Sequence, residues 1–118
     1  MSPPQELRER TKKFAIRIVR LFQALPKSTE AQVMGKQLLR CGTSVAANYR
    51  AVCRARSKAE FVARMGIVAE EADESVLWLE LLEETGILSQ ARLQDILKEA
   101  TELVAIFSTS LKTAKGNR

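Results

Sequence analysis

Apolar residues return every three or four positions along four stretches of this chain, and turn-forming residues separate the stretches. In the first, Leu7, Thr11, Phe14, Ala15, Ile18, Leu21, Phe22 and Leu25 share one helical face, which predicts a helix from about 5 to 24. Leu25-Pro26-Lys27-Ser28 then breaks the pattern, and Ser28 or Thr29 is placed to cap a second helix over about 29 to 55. Its seam is Met34, Leu38, Cys41, Val45, Asn48 and Val52. Ser57-Lys58-Ala59-Glu60 is a capping-box pattern, so a third helix is predicted from 58, with Phe61, Met65, Val68, Ala72, Val76 and Leu79 facing inward. Thr85-Gly86 ends it. Ser89 caps a fourth helix, whose inward face is Leu93, Ile96, Leu97, Ala100, Leu103, Val104, Phe107 and Leu111. Four helices on short connections predict an all-α, antiparallel up-down-up-down four-helix bundle. The expectation is a single domain over 1–118 with polar tails at about 1–5 and 113–118.

Several residues break this pattern. Gly35 and Gly42 lie inside the second helix, where each costs about 1 kcal/mol relative to Ala, and they make sense where another backbone approaches closely or where the helix breaks. Asn48 falls on the apolar face between Val45 and Val52, so its amide must find partners, and an interhelical bond that fixes register is the favoured reading. Ser57 and Glu60 are the structural polar pair of the capping box. Beyond Ser75 the segment VLWLELL is apolar on more than one side, with Leu77, Trp78, Leu81 and Leu82 outside the first seam. These four are candidates for an oligomer interface, with Trp78 as anchor.

Charge adds a polarity along the chain. The formal net charge is +5, yet residues 1–60 carry 13 Lys/Arg against 4 Asp/Glu, and residues 61–118 carry 6 against 10. Arg10, Lys13, Arg17 and Arg20 recur on one flank of the first helix; Lys36, Arg40, Arg50 and Arg54 recur on one flank of the second. Such stripes suit phosphate contact with RNA or DNA, or pairing with the acidic helices of the chain itself. Aromatic residues are 5% of the chain, and Phe14, Phe22, Phe61 and Phe107 fall on inward faces, so recognition by stacked bases is poorly supported.

The same sequence argues against chemistry. With no histidine it lacks the Glu-x-x-His pairs of di-metal bundles. Glu70, Glu71, Asp73 and Glu74 form its strongest carboxylate cluster, the only plausible centre for a carboxylate-dependent enzyme, and they are read as solvated acids or salt-bridge partners. No metal, cofactor or catalytic residue is expected. Cys41 and Cys53 stand 12 residues apart on one helix, about 18 Å, which is too far for a disulfide. No apolar run is long enough to span a bilayer and no targeting pattern opens the chain, so a cytoplasmic location is expected and a membrane partner is not.

The run CGTSVAANYRAVCRARSKAEF, followed by EEADESVLWLELLEETG, resembles the four-helix-bundle family named for proteins encoded in intervening sequences of bacterial 23S ribosomal RNA genes. The resemblance covers about 7 to 112 and is densest over 39 to 86. It implies that Ser44 to Asn48 belong to the second helix, that Arg56-Ser57-Lys58 and Phe61 open the third, and that Glu80 and Leu81 lie late in it. It also implies a homo-oligomer, a pentamer by preference. The chain is similar, too, to accessory variability proteins of diversity-generating retroelements, basic pentamers that bind nucleic acid and a reverse transcriptase. That similarity implies nucleic-acid binding and a protein partner. The family's Asn-Ile-Ala-Glu-Gly run is here Asn48-Tyr49-Arg50-Ala51-Val52, which keeps the Asn and loses the acid and the glycine. The reading is a non-enzymatic, homo-oligomeric assembly module that associates with nucleic acid through its first two helices, the alternative being a purely structural or protein-binding scaffold.

Overall fold

A first helix with one wide apolar stripe needs neighbours to cover it, and the helices that follow supply them. The computed structural model describes residues 3–116. It contains α1 (Pro3–Gln23), α2 (Thr29–Cys53), α3 (Lys58–Glu84) and α4 (Gln90–Gly116). They form an elongated bundle of 48 × 23 × 22 Å. α2 packs against both α1 and α3, and α3 packs against α4; the backbones of α1 and α3 do not approach closely, so these helices occupy diagonal corners. α1 and α4 approach least closely of the adjacent pairs.

The ends of the helices follow from local chemistry. Ser28 Oγ accepts from the Ala31 amide at 3.4 Å, Ser57 Oγ from the Glu60 amide at 3.0 Å and Ser89 Oγ from the Arg92 amide at 3.3 Å, so each predicted cap serves an amide without a partner in its own helix. Gly86 closes α3 at φ +75°, a left-handed position that favours glycine. Two ends differ from expectation. α1 begins at Pro3, because first-turn amides have no intrahelical acceptor and proline therefore loses nothing there. α4 runs on to Gly116, so residues 113–116 are helical rather than a loose tail. The remainder of the expected tails, residues 1–2 and 117–118, lies outside the described residues.

The core runs the length of the bundle. Phe14 and Ile18 of α1, Leu38 and Val45 of α2, Met65, Val68 and Leu79 of α3, and Leu103 and Phe107 of α4 are all but fully buried. Each such side chain contributes about 1.5–3 kcal/mol through burial. Gly35 and Gly42 let α1 close on α2: a Cβ on Gly42 would stand 2.9 Å from Ile18 Cγ1, and one on Gly35 would overlap Leu25 Cδ1. Side chains of α1 and of the turn that follows it, rather than another backbone, therefore make the close approach at both glycines, and α2 runs through them without a break.

Candidate nucleic-acid interface

Because α1 and α2 run antiparallel, the start of α1 lies beside the end of α2. There Arg8 and Lys12, about one turn apart, meet Arg50 and Arg54, also one turn apart, across a concavity of about 340 Å³ completed by Gln5 and Glu9. Glu9 is the single carboxylate in that lining, against four cations. No ion pair among the described residues engages any of the four. Like charges gathered in one hollow repel, so an anion seated among them relieves repulsion as well as adding attraction. Arg54 also borders a second hollow with Arg56, Glu60 and Arg64, where Glu60 accepts from Arg64 Nε at 3.1 Å.

Tyr49 is buried, with its ring 5.7 Å from that of Phe107. Burial pushes its phenol above the ordinary value, the neighbouring Cys53 thiol adds to this, and Arg8 opposes it. The phenol thus stays neutral, and the positive charge belongs to the rim.

The structure divides the eight basic residues expected to meet nucleic acid. Arg10 is spent within the chain: it pairs with Glu99 at 2.6 Å and Glu102 at 3.1 Å, both on α4. The hydrogen bond to Glu99 chiefly holds its guanidinium above the usual pKa. Arg40 pairs with Glu74 of α3. Lys13, Arg17, Arg20 and Lys36 are exposed, but the first three follow the flank of α1 that Arg10 turns toward α4, and Lys36 lies 14 residues, about 21 Å, before Arg50. Only Arg50 and Arg54 reach the concavity. Its other two cations, Arg8 and Lys12, were missed, although their four-residue spacing at the start of a helix antiparallel to α2 was a usable signal.

The acidic and apolar groups of α3 divide as well. Asn48 Nδ2 donates to Glu71 Oε1 at 2.7 Å, the expected interhelical bond. Trp78 Nε1 donates to Glu74 Oε2 at 3.1 Å, so the indole's polar edge is used within its own chain. Glu70 and Asp73 face solvent. Among the described residues no group of three His, Cys, Asp or Glu is arranged to hold a metal ion. Of the four apolar residues expected at an interface, Leu77 is 48% exposed, Trp78 and Leu81 are half-buried, and Leu82 is fully buried in the core. Leu82 therefore has no surface to offer a second molecule, a correction that follows from its position on the inward face beside Leu79. Cys41 and Cys53 are free thiols; Cys41 is buried against Ser75 Oγ at 3.3 Å, and burial raises its pKa. No helix among the described residues is long and apolar enough to cross a membrane.

Fold and surface together define a small antiparallel helical bundle with a cationic concavity and an acidic third helix. The model of the family described as 23S rRNA-intervening sequence protein matches residues 5–109, and the chain belongs to that family. It is similar to a solved protein of unknown function from the S23 ribosomal protein family of Bacteroides thetaiotaomicron, with 35% identity, 90% of this chain and 98% of that chain covered, and a TM-score of 0.83. A comparison with curated proteins finds no match.

Proposed function

We propose that this protein is a non-enzymatic, self-assembling helical module that binds nucleic acid through the concavity of Arg8, Lys12, Arg50 and Arg54, working in the cytoplasm. The observation that carries the reading is the contrast among its cations. Arg10 and Arg40 are neutralised by acids of α4 and α3, whereas these four converge with no ion pair and a single carboxylate among them. Such a seat takes phosphate oxygens and reads no base sequence, so RNA and duplex DNA are both ligands in this reading. Repetition of the seat around an oligomer multiplies weak contacts, and five copies is the number the family resemblance implies. A scaffold that binds only protein is the second reading, favoured by the exposed Ile16, Ile67 and Leu77.

The test is a salt series with unrelated RNA and DNA on the assembled protein and on the Arg8→Gln, Arg50→Gln, Arg54→Gln triple variant, with sedimentation confirming that assembly persists. Affinity should fall with salt for both nucleic acids, and the variant should bind more weakly with a shallower salt slope, by about one unit per lost phosphate contact. Absence of binding at low salt overturns the nucleic-acid assignment and leaves the scaffold, and an affinity unchanged in the variant overturns the concavity as the seat.

A further inference from the structure

The cations of the concavity are gathered into a cluster, and the surface beside them does not extend it far. A shallow groove that shares Lys12 has an apolar floor of Ala15, Ile16 and Val19, and its other cation, Arg20, is eight residues or about 12 Å further along α1. On α2, Arg40 is held by Glu74, and Lys36 lies about 21 Å before Arg50. Arg54, where α2 stops, leads instead into the second hollow. There Glu60 engages Arg64, while no ion pair among the described residues engages Arg56. The arrangement is a compact seat at one end of the bundle with a cationic way out over Arg54, not a continuous track along its side.

Size and charge decide what such a seat prefers. Taken as a cube, a hollow of about 340 Å³ is about 7 Å on a side. A strand carries one charge per about 3.4 Å of helix axis, so phosphodiesters crossing the hollow bring about two charges. The lining of four cations and one carboxylate has a net charge of +3, which two diesters leave partly unmatched. A terminal phosphate monoester carries about two charges on a single phosphorus at pH 7, and with the diester behind it supplies about three. A terminal triphosphate packs about four into the same space, since each inner group adds one. The terminal group also presents three acceptor oxygens, and the forks of Arg8, Arg50 and Arg54 each bond two. We propose that the concavity seats the phosphorylated 5′ end of a nucleic-acid strand, a triphosphate end more tightly than a monophosphate end, with the strand leaving over Arg54 past Arg56. The inference rests on the nucleic-acid part of the proposed function and names the chemical group that the seat selects. It keeps the absence of base reading, because every strand end offers the same phosphates.

The experiment titrates the full chain, without divalent cations, with one short unstructured RNA sequence bearing a 5′-hydroxyl, a 5′-monophosphate or a 5′-triphosphate, and with free adenosine triphosphate. Affinity should rise about tenfold at each step from hydroxyl to triphosphate, the scale of one added charge-assisted hydrogen bond. In the Arg8→Gln, Arg50→Gln, Arg54→Gln variant the three RNAs should bind alike. All three side chains are exposed, so folding does not depend on them, and circular dichroism verifies that the variant remains helical. Arg56→Gln should weaken the triphosphorylated RNA and leave adenosine triphosphate unchanged, because the free nucleotide has no diester to follow its triphosphate. Salt-dependent binding of equal strength to all three ends overturns the inference and leaves phosphate binding standing. An end preference that survives in the triple variant overturns it also, by placing the end elsewhere. Adenosine triphosphate bound as tightly as the triphosphorylated RNA overturns the strand as occupant and assigns the seat to a free nucleotide. No binding to any of the RNAs at low salt overturns nucleic-acid binding itself, and the end seat with it.

Discussion

Arg10 of α1 grips Glu99 of α4 with two hydrogen bonds, Nε to Oε2 at 3.0 Å and Nη2 to Oε1 at 2.6 Å, 89 residues apart in the chain. The bond spans the pair of adjacent helices that approach least closely, and Glu102 strengthens it at 3.1 Å. A cation held in this way closes the bundle and is withdrawn from any ligand.

Arg10→Gln should therefore lower stability without weakening nucleic-acid binding. The pair is partly exposed, at 36% for Arg10 and 19% for Glu99, so the loss should be about 0.2–1 kcal/mol. Arg54→Gln should do the reverse, with little change in stability and a weaker, less salt-dependent complex. Urea melts beside binding titrations of both variants check the division; a binding loss in Arg10→Gln equal to that in Arg54→Gln would contradict it.

What the sequence revealed and what it hid follow from the range of each interaction. Helix positions were legible because the 3.6-residue period, the three serine caps and Gly86 are local signals, each contained within a few residues. The allocation of the basic residues was not, because Arg10 meets Glu99 and Arg40 meets Glu74 only once the chain has folded back on itself. Leu82 was misread for a related reason. In VLWLELL apolar side chains point in several directions, and one helix's pattern does not say which of them its neighbours cover. The Asn48 bond was legible in kind, since a polar side chain on an apolar seam must be satisfied, while its partner Glu71 was not.

Two glycine substitutions should move stability in opposite directions. A Cβ at position 42 meets Ile18 Cγ1 at 2.9 Å and Cγ2 at 3.1 Å, and Ile18 is buried and stiff at χ1, so the overpacking of about 1–3 kcal/mol in Gly42→Ala should outweigh the gain of about 1 kcal/mol in helix propensity. A Cβ at Gly66, within α3, meets nothing within 4 Å, so Gly66→Ala should gain about 1 kcal/mol of helix propensity. Thermal melts of both variants decide the matter; destabilisation by Gly66→Ala would show that α3 is crowded there.

Alkaline pH should weaken the fold through Tyr49 and Cys41. Burial is the main cause that raises both, from ordinary values of 10.0 and 9.0, so the folded protein keeps its protons where the unfolded chain has lost them. Their contribution is fully present below about pH 9. It declines as pH rises through 9 and 10, by up to about 1.4 kcal/mol per pH unit for each group. Urea midpoints measured from pH 7 to 11 should be flat at first and then drop. In a Tyr49→Phe, Cys41→Ala variant, whatever its stability at pH 7, the drop should be smaller; an identical decline would assign it to other groups.

The bond from Asn48 to Glu71 should show energetic coupling that its surroundings do not supply. Glu71 is tied twice, since its side chain accepts from Asn48 Nδ2 at 2.7 Å and its backbone carbonyl accepts from Ser75 Oγ at 2.9 Å. Ser75 in turn lies 3.3 Å from Cys41 Sγ on α2, so two polar links join α2 to α3 about two turns of α2 apart. Asn48→Ala leaves a half-buried carboxylate without its donor and should cost about 1–3 kcal/mol. Glu71→Ala should cost a similar amount by leaving the amide unpaired. Together the two substitutions should cost less than their sum by about 0.5–3 kcal/mol, because the second removes a group that the first had already orphaned. Asn48→Asp should be worse than Asn48→Ala, since it sets one carboxylate against another while keeping the shape. Urea denaturation of the wild type and these four variants supplies every corner of the cycle. Strict additivity, or an Asn48→Asp variant as stable as the wild type, would reduce the contact to a surface accident with no part in fixing the register of α2 on α3.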